Sequence, residues 1–125
     1  MTNDAVILIV EDNEANQLLA SAVLEREGYR VEVASSSDAA LERLKSQAPD
    51  LILMDVQLPG IDGLSLTRLL KADARTASIP VVALTALAMR GDRERTLDAG
   101  CAGYISKPID TRTFAAEVRK YLSRV

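Results

Sequence analysis

At 125 residues the chain has room for one domain with a full hydrophobic core, and 48% hydrophobic against 26% charged residues is an ordinary globular balance. A net charge of −3 offers no basic excess for a nucleic-acid surface, and the absence of histidine removes the commonest general base and transition-metal ligand. The single cysteine, Cys101, excludes an internal disulfide, and the apolar run 5–10 is too short to span a membrane and has no basic leader, so a cytoplasmic chain without signal peptide is expected.

Residues 5–10 read as an apolar strand that stops on Glu11-Asp12-Asn13. Residues 15–27 have helical spacing with Leu19, Ala22 and Val23 inward, and Gly28 closes that helix as its C-cap. Residues 30–34 alternate like an edge strand, and Ser35-Ser36-Ser37-Asp38 supplies caps for a helix over 39–47 that Pro49 ends. The strand 51–54 reaches Asp55 and breaks at once into Val-Gln-Leu-Pro-Gly. Gly60-Ile61-Asp62-Gly63 makes a loop into a helix over 64–71. Pro80 opens the strand 81–84, a charge-rich helix lies between 89 and 99, and 103–106 forms the last strand. Asp110 caps a final helix whose Phe114, Val118, Tyr121 or Leu122, and Val125 make one apolar stripe. In the fourth helix Arg90, Arg93 and Arg95 are interleaved with Asp92, Glu94 and Asp98, which reads as a solvated face.

Five strand-then-helix repeats with right-handed crossovers imply an α/β fold, a doubly wound five-stranded parallel sheet with helices on both faces. The runs 6–10 and 51–54, apolar throughout, belong at its centre. No linker, repeat or low-complexity tract divides the chain, so residues 1–125 are expected to form a single domain.

In such a sheet the carboxyl ends of the strands share one rim. Glu11, Asp12, Asp55, Thr85 and Lys107 are the polar groups that follow the first, third, fourth and fifth strands. Carboxylates this close repel one another and need a shared proton or a cation. Without histidine or a reactive cysteine, hard oxygen ligands favour Mg²⁺ or Mn²⁺. Lys107 suits neutralisation of a phosphoryl oxygen, and the Thr85 hydroxyl could bond another. The chemistry implied is attack by the Asp55 carboxylate on phosphorus to give an acyl phosphate. Each residue alone has a blander reading: a turn aspartate, a surface lysine, a capping threonine, a half-buried Tyr104. The set in this order carries the signal. Cys101, with Ala99, Gly100 and Ala102 for neighbours, reads as a packing residue. So do Leu58 and Ile61 in the loop, and Tyr29, Phe114 and Tyr121 at the core's edge.

The motifs Val10-Glu-Asp-Asn13, Leu53-Met-Asp-Val-Gln-Leu-Pro-Gly60, Val82-Ala-Leu-Thr-Ala86 and Tyr104-Ile-Ser-Lys-Pro108 span nearly the whole chain. Through them it resembles the receiver domains of two-component response regulators, of the single-domain type. The resemblance implies a flavodoxin-like sheet of strand order 2-1-3-4-5 and Asp55 as phosphoacceptor. It implies Mg²⁺ held by Asp12, Asp55 and the backbone carbonyl of Gln57, with Glu11 acting through water and Lys107 paired with the phosphoryl group. Thr85 and Tyr104 are then the switch pair, and the Lys107–Pro108 bond is expected to be cis. Glu11 stands where many members carry aspartate, and its longer side chain suits an outer-shell role.

The partners implied are a histidine kinase or histidine phosphotransfer protein upstream and a protein target downstream. Direct nucleic-acid contact and membrane insertion are not expected, and a monomer or weak dimer is. The start at Met1 and the finish at Val125 suggest a complete protein without an output domain; the alternative is a receiver excised from a hybrid histidine kinase. No enzyme acting on a separate substrate is expected, only Mg²⁺-dependent self-phosphorylation and self-dephosphorylation. An aspartyl-phosphate phosphatase of the haloacid dehalogenase type wants a second acid two residues after its nucleophile, where Gln57 stands. A flavodoxin-like redox carrier wants a Ser/Thr-rich phosphate loop where Glu11 and Asp12 would repel the ligand.

Overall fold

Strands and helices alternate as β1 (Val6–Val10), α1 (Glu14–Arg26), β2 (Arg30–Ala34), α2 (Ser37–Ser46), β3 (Leu51–Asp55), α3 (Gly63–Ala72), β4 (Val81–Thr85), α4 (Arg90–Asp98), β5 (Gly103–Ser106) and α5 (Phe114–Leu122). The computed structural model describes residues 5–86 and 90–122, apart from the side chains of Arg90 and Asp92. The five strands form one parallel sheet in the order β2-β1-β3-β4-β5, as the resemblance implies. Winding reverses between β1 and β3, so the crevice at their carboxyl ends lies where Glu11 and Asp55 stand.

Apolar side chains on alternate strand positions feed two cores, one on each face. Ile7, Ile9, Leu51, Leu53, Val82 and Leu84 pack with Val23 and Leu24 of α1 and Phe114 and Val118 of α5. Leu8, Val10, Ile52, Met54, Val81 and Ala83 pack with Ala40 of α2 and Leu66 and Leu70 of α3. Burial of each large side chain contributes about 1.5–3 kcal/mol, which holds the strand ends in fixed register. β1, β3 and β4 are buried at every position, as continuous apolar runs require, while β2 is partly exposed at the edge.

Several local expectations shift. The inward face of α1 is Ala20, Val23 and Leu24, whereas Leu19 and Ala22 are exposed. Leucines occur on more than one side of that helix, so composition alone does not orient it. Glu27 is its C-cap; Gly28 lies one residue beyond with φ 93°, a left-handed conformation that glycine adopts without Cβ strain. Gly28 N donates to Glu25 O and Tyr29 N to Leu24 O, the paired bonds of a Schellman closure. Helix α2 starts at Ser37 with Ser36 as its N-cap, two residues before the expected start. The Asp110 carboxylate accepts from Arg112 N in a turn that precedes α5, rather than at the first residue of that helix. Phe114 is fully buried rather than at the core's edge, and Ile61 is 40% exposed rather than packed. Met89 and Val125 lie outside the described residues. The Lys107–Pro108 peptide bond is cis, as expected.

Candidate functional site

β1 ends and the chain turns into α1, whose N-cap Asn13 accepts from Asn16 N through its side chain. This turn places Glu11 inward, 1% exposed, and Asp12 outward. β3 delivers Asp55 beside them, 4% exposed. One carboxylate oxygen from each of Glu11, Asp12 and Asp55 lies within 4.8 Å of the others. Gly63 opens α3 so close to β3 that a Cβ there would meet the Asp55 carbonyl oxygen at 2.0 Å. Glycine therefore lets the helix seal the back of the site.

Lys107 enters from the end of β5. Its Nζ is 2.8 Å from Glu11 Oε1 and 3.1 Å from Asp55 Oδ1. The first contact is a close ion pair on a carboxylate oxygen that is fully buried. Burial draws the Lys107 pKa down, and the hydrogen-bonding and charge of Glu11 and Asp55 outweigh it, so the ammonium titrates above an ordinary lysine. Gln57 N donates to Asp55 Oδ1 at 3.0 Å, which holds the Gln57 peptide against the carboxylate.

Thr85 is the last residue of β4 and is buried; its carbonyl accepts from Lys107 N at 2.8 Å. It lines a groove of about 260 Å³ with Val56, Asp62, Leu64, Arg68, Arg95 and Thr96. Tyr104 pairs with Ala83 across β4 and β5 and is half-buried against the α2/α3 core. Ala83 and Thr85 are two apart on one strand, so Thr85 and Tyr104 share a face of the sheet. All seven expected residues therefore gather along the carboxyl rim or the face that continues from it.

Three further residues shape the site. Asn13 N donates to Glu11 Oε2 at 3.1 Å, and Gln17 Nε2 reaches from α1 to Glu11 O at 2.5 Å. Ser37 Oγ donates at 2.6 Å to Ile61 O in the loop after β3. Asn13 stands in the strand-end run Glu11-Asp12-Asn13 that the sequence singles out, whereas Gln17 is only a polar residue four after the helix cap. A serine inside a capping run gives no sign that it reaches another loop.

Three clustered carboxylates, two of them paired with the single ammonium of Lys107, offer hard oxygen donors and surplus negative charge that fit a divalent cation. The chain matches the response regulator receiver domain family over residues 7–119. The chain belongs to that family. This receiver is 46% identical over 116 residues to the polar-differentiation response regulator DivK of Brucella abortus (strain 2308), covering 93% of the chain and 94% of DivK. It is 40% identical to the receiver domain of the sensor histidine kinase PA1611 from Pseudomonas aeruginosa, solved with magnesium coordinated in its active-site cleft. There the TM-score is 0.83, over 98% of this chain and 97% of that one. The chemotaxis response regulator CheY4 of Vibrio cholerae, at 23% identity, shares the fold with a TM-score of 0.90 over 96% of this chain and 100% of that one. No helix among the described residues is long and apolar enough to cross a membrane.

Proposed function

We propose that this receiver accepts a phosphoryl group on Asp55 from a histidine kinase or histidine phosphotransfer protein, and so controls contact with a downstream protein. The observation that carries it is the Asp55 carboxylate at the switch point, held through Oδ1 by Lys107 Nζ and Gln57 N within a three-acid cluster. Oδ2 takes neither contact and is the attacking oxygen. Its bond to phosphorus forms as the phosphorus–nitrogen bond of the donor imidazole breaks, and the departing nitrogen takes a proton from water. Lys107 then follows the charge onto a phosphoryl oxygen.

Asp12 and Asp55 would hold Mg²⁺, or Mn²⁺ in its place, with the Gln57 carbonyl and with Glu11 through water; the magnesium in the cleft of the Pseudomonas receiver supports this assignment. Bound there, the ion supplies positive charge that offsets the phosphoryl oxygens. Water in place of the donor reverses the modification, so the turnover is the protein's own and no separate substrate is processed.

Thr85 and Tyr104 form the switch. The phosphoryl group draws the Thr85 hydroxyl inward, Tyr104 follows on the same face, and the surface of α4, β5 and α5 changes with them. The expected output face near 86–95 includes residues 87–89, which lie outside the described residues. Residues 1–125 act as one receiver unit in the cytoplasm, as a monomer or weak dimer. Intact-mass analysis after acetyl phosphate and Mg²⁺ tests the central assignment. Wild type should gain one phosphoryl group and Asp55→Asn none; equal incorporation in both would remove Asp55 from the role.

A further inference from the structure

Two adjacent serines at the start of α2 make different contacts. Ser36 caps the helix, its Oγ accepting from Ala39 N at 3.1 Å. Ser37 is 3% exposed and turns the other way, donating from Oγ to Ile61 O at 2.6 Å across 24 residues of sequence. Ile61 belongs to the loop between β3 and α3. That loop is closed at its base by Gly63 N donating to Val56 O at 3.0 Å, and Leu58 anchors its middle in the α2/α3 core. Its near limb carries the Gln57 peptide, already hydrogen-bonded to Asp55 Oδ1.

We infer that Ser37 is a positioning residue for the Asp55 site, setting the Gln57 carbonyl by fixing the far limb of its loop. This rests on the reading of Gln57 as a metal ligand. A short loop pinned at its base, middle and far limb has few conformations. Without the hydroxyl, the Ile61 carbonyl loses its partner and the loop spreads over arrangements that place Gln57 elsewhere. A ligand that needs one arrangement then binds more weakly by the fraction of chains that hold it. One hydrogen bond's worth of bias corresponds to a loss of about 3–10-fold in affinity.

The test is calorimetric titration of magnesium chloride into wild type, Ser37→Ala and Ser36→Ala, with the Tm of each measured in EDTA. Ser37→Ala should raise the Mg²⁺ Kd about 3–10-fold. Ser36→Ala loses the helix cap, so it should lower the Tm while leaving the Kd at the wild-type value. A wild-type Kd in Ser37→Ala, or the same Kd change in both variants, would reduce Ser37 to a structural role and overturn the inference alone. A wild type that gives no Mg²⁺ heat would overturn the metal reading and this inference with it.

Discussion

Strand β3 is flanked by an aspartate at each end, and the two are treated differently. Asp50, just before the strand, is exposed; its Oδ2 accepts from Val6 N at 2.8 Å while its own N donates to Val6 O at 2.8 Å. Its Oδ2 and N are both met by the neighbouring strand, and among the described residues it belongs to no cluster of three carboxylates. Asp55, at the far end, is buried and crowded by Glu11 and Asp12, with Lys107 as the cation beside it. Both groups are hydrogen-bonded aspartates at the ends of one strand, so neither residue type nor pairing separates the structural carboxylate from the one proposed to react. Uncompensated negative charge in a sheltered place does.

The largest expected effect comes from the packing behind the Asp55 end. Gly63→Ala should destabilise the protein by about 3 kcal/mol, because the clash is with the Asp55 backbone rather than with a side chain that can rotate away. Chemical denaturation would measure it; a loss under about 0.5 kcal/mol would show that α3 can shift without disturbing the site.

Exchanging the partners of the two aspartates sharpens the contrast. Lys107→Ala in EDTA should cost about 1–3 kcal/mol, since it strips the counter-charge from two buried carboxylates, and added Mg²⁺ should restore much of it. Asp50→Ala should cost about 0.5–1.5 kcal/mol, with no restoration by the ion. Equal Mg²⁺ rescue of both variants would erase the distinction.

A smaller effect separates the ends by pH. The Lys107 pKa is raised above its ordinary 10.5 in the folded state. The stability it contributes is therefore present in full below that value and is lost only as pH rises through the higher folded one. Wild type should show an alkaline loss of stability beginning above about pH 10.5 that Lys107→Met lacks, measured by thermal unfolding across pH. The same alkaline profile in both proteins would remove the lysine as its source.

Much of this contrast is legible in the sequence, and the reason is periodicity. Strands β2 and β5 fall at their expected residues, and Glu11, Asp12, Asp55 and Lys107 converge because strand ends of a parallel sheet must share a rim. The orientation of α1 was not legible: Leu18 and Leu19 are apolar yet face solvent, so the hydrophobic pattern does not mark a single stripe. Ser37 was hidden for another reason. Its neighbour Ser36 satisfies every expectation for a cap, and a contact spanning 24 residues leaves no mark in local pattern. Asn13 holds the Glu11 carboxylate through its backbone N–H, which any residue but proline could supply, and Gln17 holds the Glu11 carbonyl through its side-chain amide, so neither contact marks the sequence.

The most direct test of the surplus-charge reading is thermal unfolding with a Mg²⁺ titration, on wild type and Asp12→Asn. Wild type should gain about 2.7 kcal/mol once Mg²⁺ reaches a hundred times its Kd. Asp12→Asn should be more stable than wild type in EDTA, because one repelling charge is gone, and should lose most of the Mg²⁺ gain. An Asp12→Asn protein that is less stable without metal and gains as much from Mg²⁺ as wild type would contradict it.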